Sequence, residues 1–229
     1  MIRRLLGLVV PIGTALAVGL SPAVAAAAYT LSGDATLTAG HNSPTGVQLR
    51  SVGVGFGAID FAVPSGTTVA DIQNLATDYM ITAGDCGGGS PRFSIETPSG
   101  NAFVYIGPPP GYTGCAPGWN STGNLASGSS FVDTSQLGGT FYDTWLSARA
   151  SFGSLPVTGI SLVVDAGWKF GTQTVVFDNV QINGTTYTFE SAQACKDGGW
   201  QQFSSAPGPF KNQGDCVSYF ATGGRNTAG

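Results

Sequence analysis

Apolar and polar residues alternate with a period of two through segment after segment of this chain, and Gly, Pro, Asn and Asp separate the segments. An extended backbone sends successive side chains to opposite sides, so this pattern demands sheets with one buried face. Tyr29 to Thr38 reads as a first strand. Val47 to Val63 reads as one or two more, with Gly53, Gly55 and Gly57 marking bulges or bends. Leu75 to Ile81 alternates large with small. Arg92 to Glu96 and Ala102 to Ile106 form a pair joined by the turn Pro98-Ser99-Gly100-Asn101, and Ile160 to Asp165 is a buried strand. Thr174 to Ile182 and Thr185 to Phe189 flank Asn183-Gly184, the strongest hairpin signal in the chain.

One segment departs from this period. Phe141, Trp145 and Ala148 fall on one helical face, which predicts a short helix over 141–150. Between Gly107 and Ser130 the run Pro108-Pro109-Pro110-Gly111 predicts a long loop. With 35 Gly and 13 Pro the chain invites comparison with disordered sequences, but 42% hydrophobic residues and aromatics spread along its length supply a core. The expected fold is all-β: a jelly-roll-like β-sandwich with one short helix, spanning 29–190. A disulfide-closed C-terminal appendage is expected over 191–229, where the composition turns polar and glycine-rich.

The first 28 residues have the three parts of a secretory signal peptide: Arg3-Arg4, an apolar stretch from Leu5 to Leu20, and an alanine run that offers cleavage after Ala25 or Ala28. No cysteine stands near the cleavage site, and the C-terminus shows neither a hydrophobic tail nor a sorting signal. The expected location is therefore secreted and extracellular, with no membrane attachment after signal cleavage. The net charge is −4, and losing Arg3 and Arg4 makes it more acidic; without a basic cluster, nucleic acid is not an expected partner.

Four cysteines, Cys86, Cys115, Cys195 and Cys216, in an exported chain predict two disulfides. Three pairings exist, and Cys86–Cys115 with Cys195–Cys216 is preferred because both close local loops. Each closure contributes roughly 3–4 kcal/mol in the chain-entropy model.

Several motifs carry a resemblance. Asp85-Cys86-Gly87-Gly88-Gly89-Ser90-Pro91-Arg92-Phe93, the Tyr105 to Cys115 loop, and Gly139-Thr140-Phe141-Tyr142-Asp143-Thr144-Trp145 resemble a family of exported bacterial proteins without assigned activity. So do Val163 to Trp168 and Phe177-Asp178-Asn179-Val180. Cys195 to Trp200 with Phe210 to Tyr219 is similar to a short tail on varied secreted bacterial proteins, which supports the Cys195–Cys216 pairing. The resemblance implies no function. At the level of fold the chain also resembles jelly-roll carbohydrate-binding modules.

Catalytic signals are sparse. The sole histidine, His41, lies in a loop and there is no G-x-S-x-G elbow, so a Ser-His-Asp site is not expected. Glu96 and Glu190 are the only glutamates. Either, with an aspartate, could form the acid pair of a glycosidase, but no motif spacing joins them. No cofactor is expected, although Asp34, Asp165, Asp178 and Glu190, with Asp60 and Asn179, offer hard oxygen ligands for a structural calcium. For sugar binding, Tyr112, Trp119 and Asn120 occupy the loop that Cys86–Cys115 would close, and Trp168 follows a strand beside Asp165 and Lys169. Trp145 is expected in the core and Trp200 within the appendage. The sequence thus favours a secreted, non-catalytic module binding polysaccharide or cell-envelope glycan. A structural or protein-binding extracellular factor is the alternative, and a glycoside hydrolase the third.

Overall fold

The computed structural model describes residues 29–128, 130–204 and 207–222. The signal-peptide segment 1–28 and the end of the appendage, 223–229, lie outside the described residues. Twelve strands are present among the described residues: β1 (Tyr29–Ala39), β2 (Thr45–Val52), β3 (Gly57–Phe61), β4 (Leu75–Ala83), β5 (Arg92–Thr97), β6 (Gly100–Tyr105), β7 (Asn120–Ser121), β8 (Phe131–Asp133), β9 (Asp143–Thr144), β10 (Gly159–Val164), β11 (Thr172–Ile182) and β12 (Thr185–Tyr187). Three short helices accompany them: α1 (Trp145–Phe152), α2 (Gly167–Phe170) and α3 (Gln213–Ala221).

Every ladder is antiparallel, and the strands run in the order β7-β4-β11-β2-β1-β3-β10-β5-β6-β8-β9, with β12 on β11. The strand β1 belongs to both halves of this curled, jelly-roll-like sheet. Its residues 34–39 pair with β2, while residues 29–33 pair with β3. The change of partner happens at Gly33, whose φ is +63° and whose missing side chain leaves room for Phe56; a Cβ there would lie 2.2 Å from the Phe56 carbonyl oxygen. Only glycine tolerates both demands.

The two halves enclose one core. Val47, Leu49, Leu75, Val175 and Phe177 from one half meet Ile59, Phe93, Ile95, Val104, Ile160 and Leu162 from the other, all of them essentially inaccessible to water. Alternation does the sorting: in β5, Phe93 and Ile95 point inward while Arg92, Ser94 and Glu96 point outward.

The Asn183-Gly184 hairpin joins β11 to β12 as expected, with Asn183 at a φ of +53°. The helix forms later than its apolar spacing suggested. Thr144 caps it by accepting the Ser147 N–H, so it starts at Trp145; Trp145 and Ala148 are buried, but Phe141 lies before the helix and is exposed. The loop over 107–130 contains β7, two residues long and paired with β4.

Both disulfides have the local pairing: Cys86–Cys115 and Cys195–Cys216. Beyond Glu190 a second, smaller core forms from Cys195, Phe203, Phe210 and Cys216, with Trp200 against it. The helix α3, capped by Asn212, supplies Cys216 to this cluster. Ser204 donates its N–H to the Asn42 carbonyl, tying this unit to the loop between β1 and β2.

Candidate functional site

The outward face of β3, β10, β5, β6 and β8 brings together polar and aromatic side chains with ligand-binding chemistry. Register places Thr30, Asp60, Ser161, Ser94, Phe103 and Asp133 in one cross-strand row. A neighbouring row holds Val163, Arg92 and Tyr105, and a third holds Gly159, Glu96 and Asn101. Five strands at ordinary spacing make this surface about 19 Å across.

At the β3–β10 end the face hollows into a groove of about 350 Å³ lined by Tyr29, Thr30, Asp60, Phe61, Glu96 and Ser161 among others. Two carboxylates meet there on one hydroxyl. Ser161 Oγ lies 2.8 Å from Asp60 Oδ1 and 3.0 Å from Glu96 Oε1. Ser32 Oγ donates to Asp60 Oδ2 at 2.8 Å. Glu96 lies flat across Gly159: a Cβ at that position would stand 2.7 Å from Glu96 Oε2. Ser94 is 5% exposed, and its hydroxyl makes no hydrogen bond among the described residues.

Arg92 separates this acidic end from an aromatic one. Its guanidinium grips Asp165 through two 2.7 Å bonds, donates to the Gly89 carbonyl, and lies 4.8 Å over the Phe103 ring. Beyond it, Tyr105, Tyr112, Phe131 and Tyr142 contact one another in series, with ring centroids 5.6, 6.4 and 6.4 Å apart. Tyr105 donates its hydroxyl to Asp133 at 2.7 Å. Burial, reinforced by that bond, drives the Tyr105 pKa far up, so it remains a neutral donor.

The expected ligand residues are dispersed. Tyr112 is 9% exposed and forms the inner wall of the aromatic series, not an open platform. Trp119 is half-buried and stacks on His41 at 4.8 Å with an interplanar angle of 11°, so one of its faces is covered. Tyr112 and Trp119 therefore keep different company despite sharing a loop. Asn120 donates to the carbonyls of Ala116 and Gly118, which folds that loop. Trp168, in α2, is 62% exposed.

The four candidate calcium ligands divide similarly. Asp34 pairs with Arg50 at the surface, and Asp165 is held by Arg92. Asp178 and Glu190 meet at the loop over 40–45. Asp178 is fully buried and accepts the N–H groups of His41, Asn42, Ser43 and Asn179 together with the Ser43 hydroxyl. Glu190 accepts the Thr45 N–H, and its Oε2 is buried without a hydrogen-bond partner among the described residues. Burial pushes the Glu190 pKa up to about 7; the Asp178 charge adds to this, while bonds from Ser43 and Thr45 act against it.

Of the residues that form the groove, Glu96 and Asp60 stood out in the sequence singly. Ser161 and Ser94 did not, because an isolated serine on a strand carries no signal until its register is known.

No family model and no curated protein sequence matches the chain. Among solved structures it is similar to the family 11 carbohydrate-binding module of the cellulosomal cellulase Lic26A-Cel5E of Clostridium thermocellum, at 13% identity and a TM-score of 0.40, over 71% of this chain and 86% of that one. An exo-beta-agarase matches at 12% identity and 0.37, where the chain spans 24% of the longer protein. The xyloglucanase domain of NopAA, a type three effector from Sinorhizobium fredii, matches at 12% and 0.32, over 71% of this chain and 97% of that one. These are likenesses of fold, and none extends to a residue or a ligand.

Proposed function

We propose that the protein is a secreted, non-catalytic module that binds polysaccharide or cell-envelope glycan across the outward face of β3, β10, β5, β6 and β8. The observation that carries this is the row from Asp60 through Ser161 and Ser94 to Phe103, which continues into the aromatic series. A sugar chain presents hydroxyl edges and apolar ring faces, and here carboxylates and hydroxyls on strands adjoin aromatic planes, Phe103, Tyr105 and Phe131 on strands and Tyr112 and Tyr142 in turns beside them. Strands hold such groups more rigidly than a loop does, which lowers the ordering cost of binding. Tyr142, 61% exposed, offers the open ring at the far end.

The test is depletion from solution by insoluble glucan, chitin and peptidoglycan, with wild type, Tyr142→Ala and Asp60→Asn. Retention of wild type on at least one polymer, weakened several-fold in both variants, is expected. Failure of all three polymers to retain wild type contradicts the proposal.

A second reading, glycoside hydrolysis, has one specific observation in its favour. Asp60 and Glu96 share Ser161, so their nearer oxygens lie no more than about 6 Å apart, a bound that admits the separation a retaining glycosidase uses. Release of new reducing ends from a retained polymer, abolished by Glu96→Gln, would establish it over simple binding.

A further inference from the structure

We infer that Asn183 is a covalent modification site: it deamidates when the β11–β12 hairpin opens, and the product cannot rebuild the clamp that holds the segment 71–75. This is independent of the glycan-binding reading.

Asn183 is the one asparagine in the chain that is followed by glycine. That pair is chemically labile in an open chain. The Gly184 amide gives up its proton to hydroxide, and its nitrogen bonds to Asn183 Cγ. The Cγ–Nδ2 bond then breaks, and ammonia leaves after taking its last proton from water. Water opens the resulting succinimide ring at one carbonyl or the other, which yields an isoaspartyl or an aspartyl residue. Glycine favours the ring closure because no Cβ shields the attacking nitrogen. Gly184 is exposed, with nothing near the place a Cβ would occupy.

The fold opposes this step by holding both ends of the side-chain amide. Asn183 Oδ1 accepts the Gln73 N–H at 2.7 Å and the Asn74 N–H at 3.3 Å, while its Nδ2 donates to the Asp71 carbonyl at 3.0 Å. The Asn183 N–H donates to the Asn74 carbonyl at 2.8 Å, and Asn74 Nδ2 donates back to the Asn183 carbonyl at 3.3 Å. Turning Cγ onto the Gly184 nitrogen requires these bonds to part, so the reaction follows the open fraction of the hairpin. That opening is local, because β12 pairs over three residues and the clamp lies at the surface. The change is then permanent. A carboxylate has no N–H for the Asp71 carbonyl, and an isoaspartyl link adds a backbone carbon that displaces Thr185 from Ile182.

Peptide mapping by mass spectrometry, on protein aged at mildly alkaline pH with and without urea, tests this. Asn183 is expected to deamidate about tenfold slower in the native protein than in urea, where it should outpace every other asparagine. Asn74→Ala should raise the native rate several-fold and leave the rate in urea alone. Gly184→Ala, at a position with room for a methyl group, should slow the reaction several-fold in urea. Thermal melts of each variant confirm that it is folded. Equal rates with and without urea overturn the gating, a slow Asn183 in urea overturns the site, and an unchanged native rate in Asn74→Ala overturns the clamp. Amide exchange of the aged protein reads the consequence. Faster exchange at Gln73, Leu75 and Tyr187 is expected, and protection equal to that of fresh protein overturns the claim that the clamp is lost.

Discussion

Gly159 is the residue at which sequence, geometry and binding meet most tightly. Its missing Cβ is what lets Glu96 lie against the sheet beside Ser161. Gly159→Ala should push the flexible Glu96 carboxylate away, weakening glycan binding several-fold with little change in melting temperature; an unchanged affinity would show that Glu96 is not held there for the ligand. Glu190 makes a separate prediction. Its folded pKa of about 7 lies above that of an ordinary carboxylate, so the folded state retains a proton that the unfolded chain loses as pH rises from about 4.5. Stability should therefore fall through that interval and level off above 7, by an amount on the order of 3 kcal/mol. Glu190→Gln should flatten this slope and raise stability at pH 8, as measured by denaturant titration across pH. Neither property could be read at the sequence level. Asp60 and Ser161 are separated by 101 positions, and only the β3–β10 register makes them neighbours.

At the scale of elements, alternation located β1 to β6 and β10 to β12 well, because a buried face imposes period two on any strand long enough to show it. The strands β7, β8 and β9, two or three residues each, are too short to carry a period: β7 lay in a segment read as loop, β9 in one read as helix, and β8 in a stretch that carried no signal of either kind. The helix α1 buries Trp145 and Ala148 of its expected face but leaves Phe141 outside, because it begins where Thr144 caps it and a cap sets the start of a helix more sharply than apolar spacing does. The loop from Gly107 to Asn120 owes its order to Cys86–Cys115, which spans 29 positions. A Cys86→Ser, Cys115→Ser double variant should lose about 3–4 kcal/mol in urea unfolding. It should also free Tyr112 from Tyr105 and Phe131, seen as loss of near-ultraviolet ellipticity. An unchanged aromatic signal would mean that ring packing alone fixes the loop.

The whole molecule is one curled sheet around one core, with a smaller cluster appended beyond Glu190. That cluster relies on Cys195–Cys216 and a handful of rings, so a Cys195→Ser, Cys216→Ser double variant should speed amide exchange in α3 while β10 and β11 stay protected. Loss of protection in β10 as well would show that the two cores unfold together. The fold class was legible from the chain because patterning dictates layers. The site was not, because it is made by register among five strands and not by any contiguous motif. The aromatic residues most visible in the sequence, Trp119, stacked on His41, and Trp168, in α2, are not members of the row formed by Asp60, Ser161, Ser94 and Phe103. That division makes glycan binding on this face measurable in one experiment: amide chemical shifts of the labelled protein followed during titration with glucosamine and glucose hexamers. The largest shifts are expected at Asp60, Ser94, Phe103, Tyr105 and Ser161. Shifts confined to His41, Trp119 or Trp168, or no shifts with either hexamer, would contradict it.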